Sequence, residues 1–177
     1  ILHYQEEGSP IVKASGTAVN GIFTVEFYVP KDINYKVGEG RILAYANNKT
    51  FDVFTNQIQK VGDINPNGLN DSEPPKVQLY MNNTNFVDGG ITNQNPNLLA
   101  CITDNIGINS TGAGIGHDIT VLLDGEVINT KVLNDFFSAG ETNGCINPGL
   151  ADYQKGSVTY PFRDLKPGEH QLTFKVW

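Results

Sequence analysis

The stretch GAGIGHDITVLLDGEVINTKVLN, residues 112–134, carries the strongest local fold signal in the chain. At its centre stands Asp124–Gly125, a dipeptide typical of two-residue hairpin turns. Two apolar runs flank this dipeptide: Ile119, Val121 and Leu123 before it, and Val127, Ile128, Val132 and Leu133 after it. Because β-branched residues dominate both runs, the stretch predicts a β-hairpin.

The rest of the chain repeats this pattern of short apolar runs between turn residues. Gly and Pro contribute 19 and 9 residues, and no segment carries an apolar stripe at helical spacing. The runs that predict strands are 17–30, 41–46, 50–55, 57–61, 76–81, 98–103, 157–162 and 169–177. Since 17–30 is apolar on both faces, we expect it to be covered on both sides. The fold class expected is all-β, an immunoglobulin-like β-sandwich.

The domain organisation is less sharply defined. At 177 residues the chain is predicted to be a single β-sandwich region, residues 1–177, and the Gly/Pro/Asn-rich segment 62–75 is a candidate boundary between two packed β subdomains. The chain lacks an initiator Met and ends at Trp177 within an alternating pattern. We therefore expect a domain excised from a longer protein, and any targeting segments or catalytic residues of that protein then lie outside this region.

Charge and hydropathy argue against two classes of partner. The formal net charge is -7, and no basic cluster exceeds two neighbouring residues. A basic patch for nucleic acid or anionic lipid is therefore not expected, because such binding needs Lys and Arg. No stretch approaches the roughly 20 apolar residues of a membrane helix, so no membrane insertion is expected in this segment.

The two cysteines, Cys101 and Cys145, are too few for a disulfide framework. They form a bridge that closes a long loop, or each is a small buried apolar side chain. The sequence leaves both alternatives open.

One segment partly matches a calcium-binding loop. Asp63, Asn65, Asn67 and Gly68 fit the first half of the pattern, in which alternating side-chain oxygens converge on the ion. The second half fails, because Pro74 stands where a bidentate Glu is required. An ordinary turn-rich loop explains the same residues, and we expect no metal site there.

The pair His117–Asp118 suggests a catalytic base, with Cys101 or Cys145 as nucleophile. Neither cysteine lies in a recognisable nucleophile motif, and a His–Asp pair at the start of a strand more often anchors loop backbone. His3 and His170 are not at metal-ligand spacing. We therefore predict no catalytic, cofactor-binding or metal-binding residue. Three sequons, at Asn48, Asn82 and Asn109, hint only at exposed loops.

Several stretches together resemble one family. They include FYVPKDINYKVGEGRILAYA (27–46), PPKVQLYMNN (74–83), FVDGGITNQNPNLLACITDNIGIN (86–109), GIGHDITVLLDG (114–125), VLNDFF (132–137) and GSVTYPFRDLKPGEHQLTFKVW (156–177). They resemble the β-rich region that follows the caspase-like catalytic domain in PorU-type sortases of the type IX secretion system, gingipain-like (C25) cysteine peptidases of Bacteroidetes. The segment 138–149, which contains Cys145, looks longer than the corresponding connection in the family.

The resemblance implies a non-catalytic accessory domain of a surface cysteine peptidase, since the family's Cys and His lie in the preceding domain. The implied partners are the upstream catalytic domain of the same chain, secreted cargo and other secretion-system proteins. The implied location is extracytoplasmic, at the cell surface or outer membrane. An alternative is an independent adhesion or carbohydrate-binding module, for which the aromatic candidates are Tyr35, Tyr45, Tyr80 and Trp177.

Overall fold

The fold is all-β, as the sequence predicts. A computed structural model describes residues 10–31, 33–112 and 116–177. Over these residues it contains nine strands and three short 3₁₀ turns. The strands are β1 Gly38–Asn47, β2 Asp52–Val61, β3 Lys76–Met81, β4 Asn97–Thr103, β5 Thr120–Leu123, β6 Lys131–Val132, β7 Phe137–Ala139, β8 Lys155–Pro161 and β9 Leu172–Lys175.

The chain divides into two compact units. The hairpin unit comprises Ile33–Asn70, and the sandwich unit comprises Ile1–Asp32 together with Asp71–Trp177. The second boundary, after Asn70, lies inside the Gly/Pro/Asn-rich segment 62–75.

The sandwich unit contains two antiparallel sheets. The larger has the strand order β3-β4-β8-β7, and the smaller has the order β6-β5-β9. The order of the larger sheet matches the A-B-E-D sheet of immunoglobulin domains. In the smaller sheet β5 lies between its two partners, through the pairs Val121–Lys131 and Val121–Phe174.

The core of this unit lies between the two sheets. Side chains of one face of β4, Leu98, Ala100 and Ile102, form a single buried cluster with Val121 of β5 and with Ile119, which directly precedes β5. The other face of β4 carries Leu99 and Cys101, which are also buried. A strand that is buried on both faces has a nearly continuous apolar sequence, and LLACI is such a run.

The hairpin unit is built on β1 and β2, which pair antiparallel over all ten residues of each strand. Asn48 organises the turn, because its side-chain oxygen accepts hydrogen bonds from the backbone N–H groups of Thr50 and Phe51, at 3.0 and 3.1 Å. At the base, the Asp63 N–H donates to the Tyr35 carbonyl at 2.9 Å. The hairpin is therefore closed at both ends.

The prediction of a strand over 17–30 is wrong. Asn20 and Gly21 both have positive φ, at 52° and 78°, and form a two-residue turn between Val19 and Ile22. An Asn-Gly dipeptide favours such a turn over a strand interior. The following apolar residues are neither in a strand nor covered: Phe23 and Phe27 are about half exposed.

The hairpin predicted in 112–134 is confirmed in its turn but not in its second strand. Asp124 and Gly125 have positive φ, at 55° and 72°, as a two-residue turn of this type requires. Beyond it, Val127–Asn129 forms a 3₁₀ turn rather than a strand, and β6 begins only at Lys131. Ile128 consequently is exposed to solvent.

Candidate functional site

The hairpin unit presents an extensive exposed apolar surface. In an antiparallel pair, directly opposed residues share a face. One face carries Tyr45 opposite Phe54, with Leu43 and Ile58 beside them, and we call these four residues the aromatic face. Tyr45 is 62% exposed and Phe54 is 63% exposed, so the aromatic face is not part of a buried core.

The opposite face of the hairpin is also exposed but carries smaller side chains. Ala44 lies opposite Thr55 and Ala46 opposite Val53, with Ile42 next along β1. No residue of β1 or β2 is buried. A two-stranded hairpin is marginally stable alone in water, and large exposed apolar patches mark sites of interaction.

The segment 22–29 is a second exposed apolar surface, within the sandwich unit. Its side chains alternate as in a strand, but the structure pairs only Ile22, with Val19. Phe27 and Tyr28 line a small apolar crevice together with Phe137 and Ala139 of β7. The C-terminal part of the segment thus lies beside β7, while Phe23 and Val25 are 50% and 38% exposed.

The structure joins the two cysteines. Cys101 and Cys145 form a disulfide with a Cα–Cα distance of 5.4 Å, across 44 residues of sequence. Because both thiols are consumed, neither cysteine can serve as the nucleophile of the Cys–His hypothesis. Disulfides are typical of proteins that fold outside the cytoplasm.

The disulfide holds the excursion 138–149 against the outer face of the larger sheet. Beside it, the buried hydroxyl of Ser157 lies 2.6 Å from Thr142 Oγ1 and accepts a hydrogen bond from Asn143 Nδ2 at 2.9 Å. Lys155 is buried as well, and its Nζ donates to Glu141 Oε1 at 3.0 Å. The excursion is therefore a fixed cover over Leu99 and Cys101 rather than a loose loop.

His117 and Asp118 do not form a catalytic arrangement with a cysteine. The His117 ring lies 5.0 Å from the Trp177 ring, centroid to centroid, at a tilt of 36°. Anchoring of the adjacent backbone is done by Asn134, whose Oδ1 accepts from the Ile119 N–H at 3.2 Å and whose Nδ2 donates to the Ser110 carbonyl at 3.2 Å. No sequence pattern predicts this role of Asn134.

The calcium-like segment behaves as a turn-rich loop in the hairpin unit. Asp63 Oδ1 accepts from the N–H of Ile64 at 2.8 Å, and Asn65 Oδ1 accepts from the N–H of Asn67 at 3.0 Å. These side-chain oxygens are engaged by local backbone, as in Asx turns. Over the described residues, no group of three or more His, Cys, Asp or Glu side chains is arranged to hold a metal ion. His3 lies outside the described residues.

His170 has a structural role that its sequence position did not indicate. Its Nδ1 lies 2.8 Å from Asp124 Oδ2 and its Nε2 lies 2.7 Å from the Lys166 carbonyl oxygen. The hydrogen bond to Lys166, and then that to Asp124, raise the pKa of His170. The N–H of Gln171, followed by His170, lowers the pKa of Asp124.

The four aromatic candidates divide in two groups. Tyr80 is half-buried and packs on the cluster of Leu99 and the two cysteines. Tyr35, Tyr45 and Trp177 are largely exposed. Of the sequon residues, Asn48 and Asn82 are exposed and Asn109 is half-buried.

In the described part of the chain, no helix is long and apolar enough to cross a membrane.

The chain is similar to part of a protein of known structure. No protein-family model matches the chain, and no curated protein matches it. Among solved structures, the chain is similar to the crystal structure of dimeric latent PorU from Porphyromonas gingivalis. The two are 31% identical over 84% of this chain, with a TM-score of 0.52. The chain spans 13% of the length of that PorU chain.

Proposed function

We propose that this chain is a non-catalytic accessory β-sandwich domain of a cell-surface, type IX secretion sortase-like cysteine peptidase. The similarity to part of PorU supports a place within a larger multidomain chain. The disulfide supports an extracytoplasmic location. With both cysteines bridged, the chain offers no thiol for peptidase chemistry, and the catalytic dyad belongs to the upstream domain of the same polypeptide.

The role of this domain is to dock a protein partner through the β1–β2 hairpin. The observation that carries this role is the exposed aromatic face, Leu43, Tyr45, Phe54 and Ile58. Each strand of the hairpin also has one edge that is unpaired within the described chain. Main-chain groups at such an edge, with apolar side chains beside them, are suited to adding a strand from a partner. The partner we propose is the C-terminal sorting domain of secreted cargo.

The test titrates this chain with a secreted cargo protein that carries its sorting domain, following binding by calorimetry and cargo integrity by intact mass. Replacing Tyr45 and Phe54 together by Thr should weaken binding at least about tenfold, because buried aromatic anchors dominate such interfaces. The matched control replaces Ile42 and Val53 by Thr, which removes apolar side chains that are 51% and 53% exposed from the opposite face. Equal losses in both variants contradict a role for the aromatic face, and cleavage of the cargo contradicts a non-catalytic domain.

The same variants distinguish the other protein partners. One outcome is that the isolated catalytic domain of the parent protein binds and the cargo does not. If only the Tyr45/Phe54 variant then loses binding, the aromatic face is a docking surface for the catalytic domain instead of cargo. Sedimentation of the chain alone shows whether a second copy takes that place.

A second candidate function is carbohydrate binding, favoured by the exposure of Tyr45 and Trp177. Trp177 already stacks obliquely on His117, which leaves part of its ring for a sugar. A surface polysaccharide that binds the chain and loses binding on Trp177→Ala, with the hairpin variants unaffected, would favour this alternative.

A further inference from the structure

A cleft of about 300 Å³ lies in the sandwich unit. Apolar side chains of Leu123, Phe162 and Leu165 line it, together with Tyr160. The lining also includes Asn129, Pro161 and two cations, Lys131 and Arg163. The cleft thus combines an apolar surface with concentrated positive charge.

Lys131 occupies a position that a core-forming sheet normally gives to an apolar residue. It pairs directly with Val121, so the two side chains share the inner face of the smaller sheet. Val121 is 1% exposed and belongs to the core. Tyr160 lies on the inner face of the larger sheet, since it pairs with the core residue Leu98. Lys131 is itself exposed to solvent, so it lines the cleft at its open rim.

Both walls of the cleft are held by backbone hydrogen bonds. Around Arg163, the N–H groups of Phe162 and Leu165 donate to the carbonyls of Pro96 and Gln94, at 2.9 and 3.1 Å. On the other wall, the 3₁₀ turn before Lys131 is closed by the Thr130 N–H, which donates to Val127 at 3.1 Å. The backbone that carries the two cations is thus fixed before any ligand arrives.

The charge of the cleft is opposite to that of the protein. The chain has a formal net charge of -7, yet none of the residues lining the cleft is acidic. Among the described residues, neither Lys131 nor Arg163 has a carboxylate partner, and Arg163 donates only to the neighbouring Phe162 carbonyl at 3.4 Å. Glu126, next to the lining, is held by Asn129 Nδ2 at 2.5 Å.

We propose that this cleft binds a small organic anion, a phosphate or carboxylate group carried on a ring-bearing body. Lys131 and Arg163 pair with the anionic group, and the ring lies on Leu123, Phe162 and Leu165. The volume is at the lower end of the range for small-molecule sites, which suits a ligand of the size of a substituted monosaccharide or an aromatic acid. Paired cations on a largely apolar surface select an anion with an apolar part over a free inorganic ion.

A competing explanation assigns Lys131 to protection of the sheet edge. β6 is an edge strand, and inward-pointing lysines discourage edge-to-edge pairing. That explanation accounts for Lys131 alone. It gives no role to Arg163, which follows β8 of the larger sheet and lines the same cleft.

The test titrates the isotope-labelled 177-residue chain with phenyl phosphate and with benzoate, at low and high salt, following backbone and methyl resonances. The two probes share a ring and differ in the anion, which shows whether phosphate or carboxylate is preferred. Benzyl alcohol supplies the ring without the charge. Lys131→Gln and Arg163→Gln are compared with Lys76→Gln, an exposed lysine on β3 that does not line the cleft.

At least one anionic probe should bind saturably, with shifts at Leu123, Phe162 and Leu165, and benzyl alcohol should not. Each cleft variant should weaken binding about fivefold, and Lys76→Gln less than about twofold. High salt should weaken binding to the wild-type chain, a readout that needs no variant. Shifts that do not saturate, that lie elsewhere, or that survive both cleft substitutions overturn the proposal.

Discussion

Asp124 and His170 are joined by a 2.8 Å contact between Oδ2 and Nδ1, across 46 residues of sequence. Asp124 is also clamped to the neighbouring Gln171. Its N–H donates to the Gln171 carbonyl at 2.8 Å, and its Oδ1 accepts from the Gln171 N–H at 2.9 Å. Asp124, the turn residue that follows β5, therefore fixes the start of β9, which pairs with β5 in the smaller sheet.

This clamp makes the stability of the sandwich unit depend on pH. The pKa of His170 is raised above 6.5, so its stabilising contribution is complete below 6.5 and is lost as the pH rises through the raised value. Asp124 affects stability at acid pH, because its pKa is lowered. Its stabilising contribution is present above pH 3.8 and is lost as the pH falls through the lowered pKa.

We expect His170→Gln to remove the loss of stability that the wild-type chain shows as the pH rises above neutral. The wild-type chain should lose less than about 1 kcal/mol between about pH 6 and pH 9, since both side chains are partly exposed. Thermal unfolding measured across this range checks the prediction. A variant whose melting temperature falls with pH in parallel with the wild type would show that His170 is not the responsible group.

Two neighbouring hydroxyls on β8 should respond oppositely to removal. Ser157 is fully buried and bonded to Thr142 and Asn143, so Ser157→Ala should destabilise by about 1–3 kcal/mol. Within the described chain, Thr159 Oγ1 is buried without a hydrogen-bond partner. Thr159→Val keeps the shape and removes an unsatisfied group, so it should be neutral or stabilising. Urea unfolding of both variants decides the matter, and a large loss for Thr159→Val would reveal a missed partner.

Reduction of the Cys101–Cys145 disulfide should destabilise the sandwich unit by up to about 4 kcal/mol, given the length of the loop it closes. The measurement compares denaturant midpoints with and without a reductant. A chain carrying Cys101→Ala and Cys145→Ala is the control, and its midpoint should be the same under both conditions. If the denaturant midpoint of the wild-type chain is the same with and without the reductant, the disulfide does not stabilise the fold.

Gly156 is predicted to tolerate no side chain. A Cβ at this position would lie 2.5 Å from Phe137 Cζ and 2.7 Å from the Ser138 carbonyl oxygen. Gly156→Ala should therefore destabilise by about 2 kcal/mol, because β7 must move away from β8. Gly16→Ala is the matched control: nothing lies within 4 Å of its Cβ, and the change should stay within about 0.5 kcal/mol. Equal unfolding midpoints for the two variants would contradict the close approach.

The parts of the fold that sequence predicts best are those governed by local signals. The strand 76–81 is observed with the predicted bounds, since Pro75 precedes it and its side chains alternate. The Asp124–Gly125 dipeptide forms the predicted turn, because both residues readily adopt a positive φ. The Asn20–Gly21 turn carries the same signal, but the apolar residues around it favoured a continuous strand.

The candidate surfaces depend on partners that are distant in sequence, and this limits prediction. Tyr45 and Phe54 alternate as core residues do, and only the missing second layer leaves them exposed. The disulfide required Cys145 to return over β4, which no local pattern encodes. Lys131 and Arg163 line the same cleft although they lie 32 residues apart in sequence.

The closed base of the β1–β2 hairpin has a consequence for how such a domain can diversify. Gly62 packs against the backbone of Val37, and Asp63 bonds to Tyr35, so strand length is independent of the connection below. Adding two residues to each strand would lengthen the hairpin by about 7 Å and keep the same side chains on each face. Adding one to each would turn the aromatic face to the other side. Even insertions therefore change only the length of the hairpin, whereas odd insertions also change the side on which the aromatic face lies. Neither needs a change in the rest of the chain.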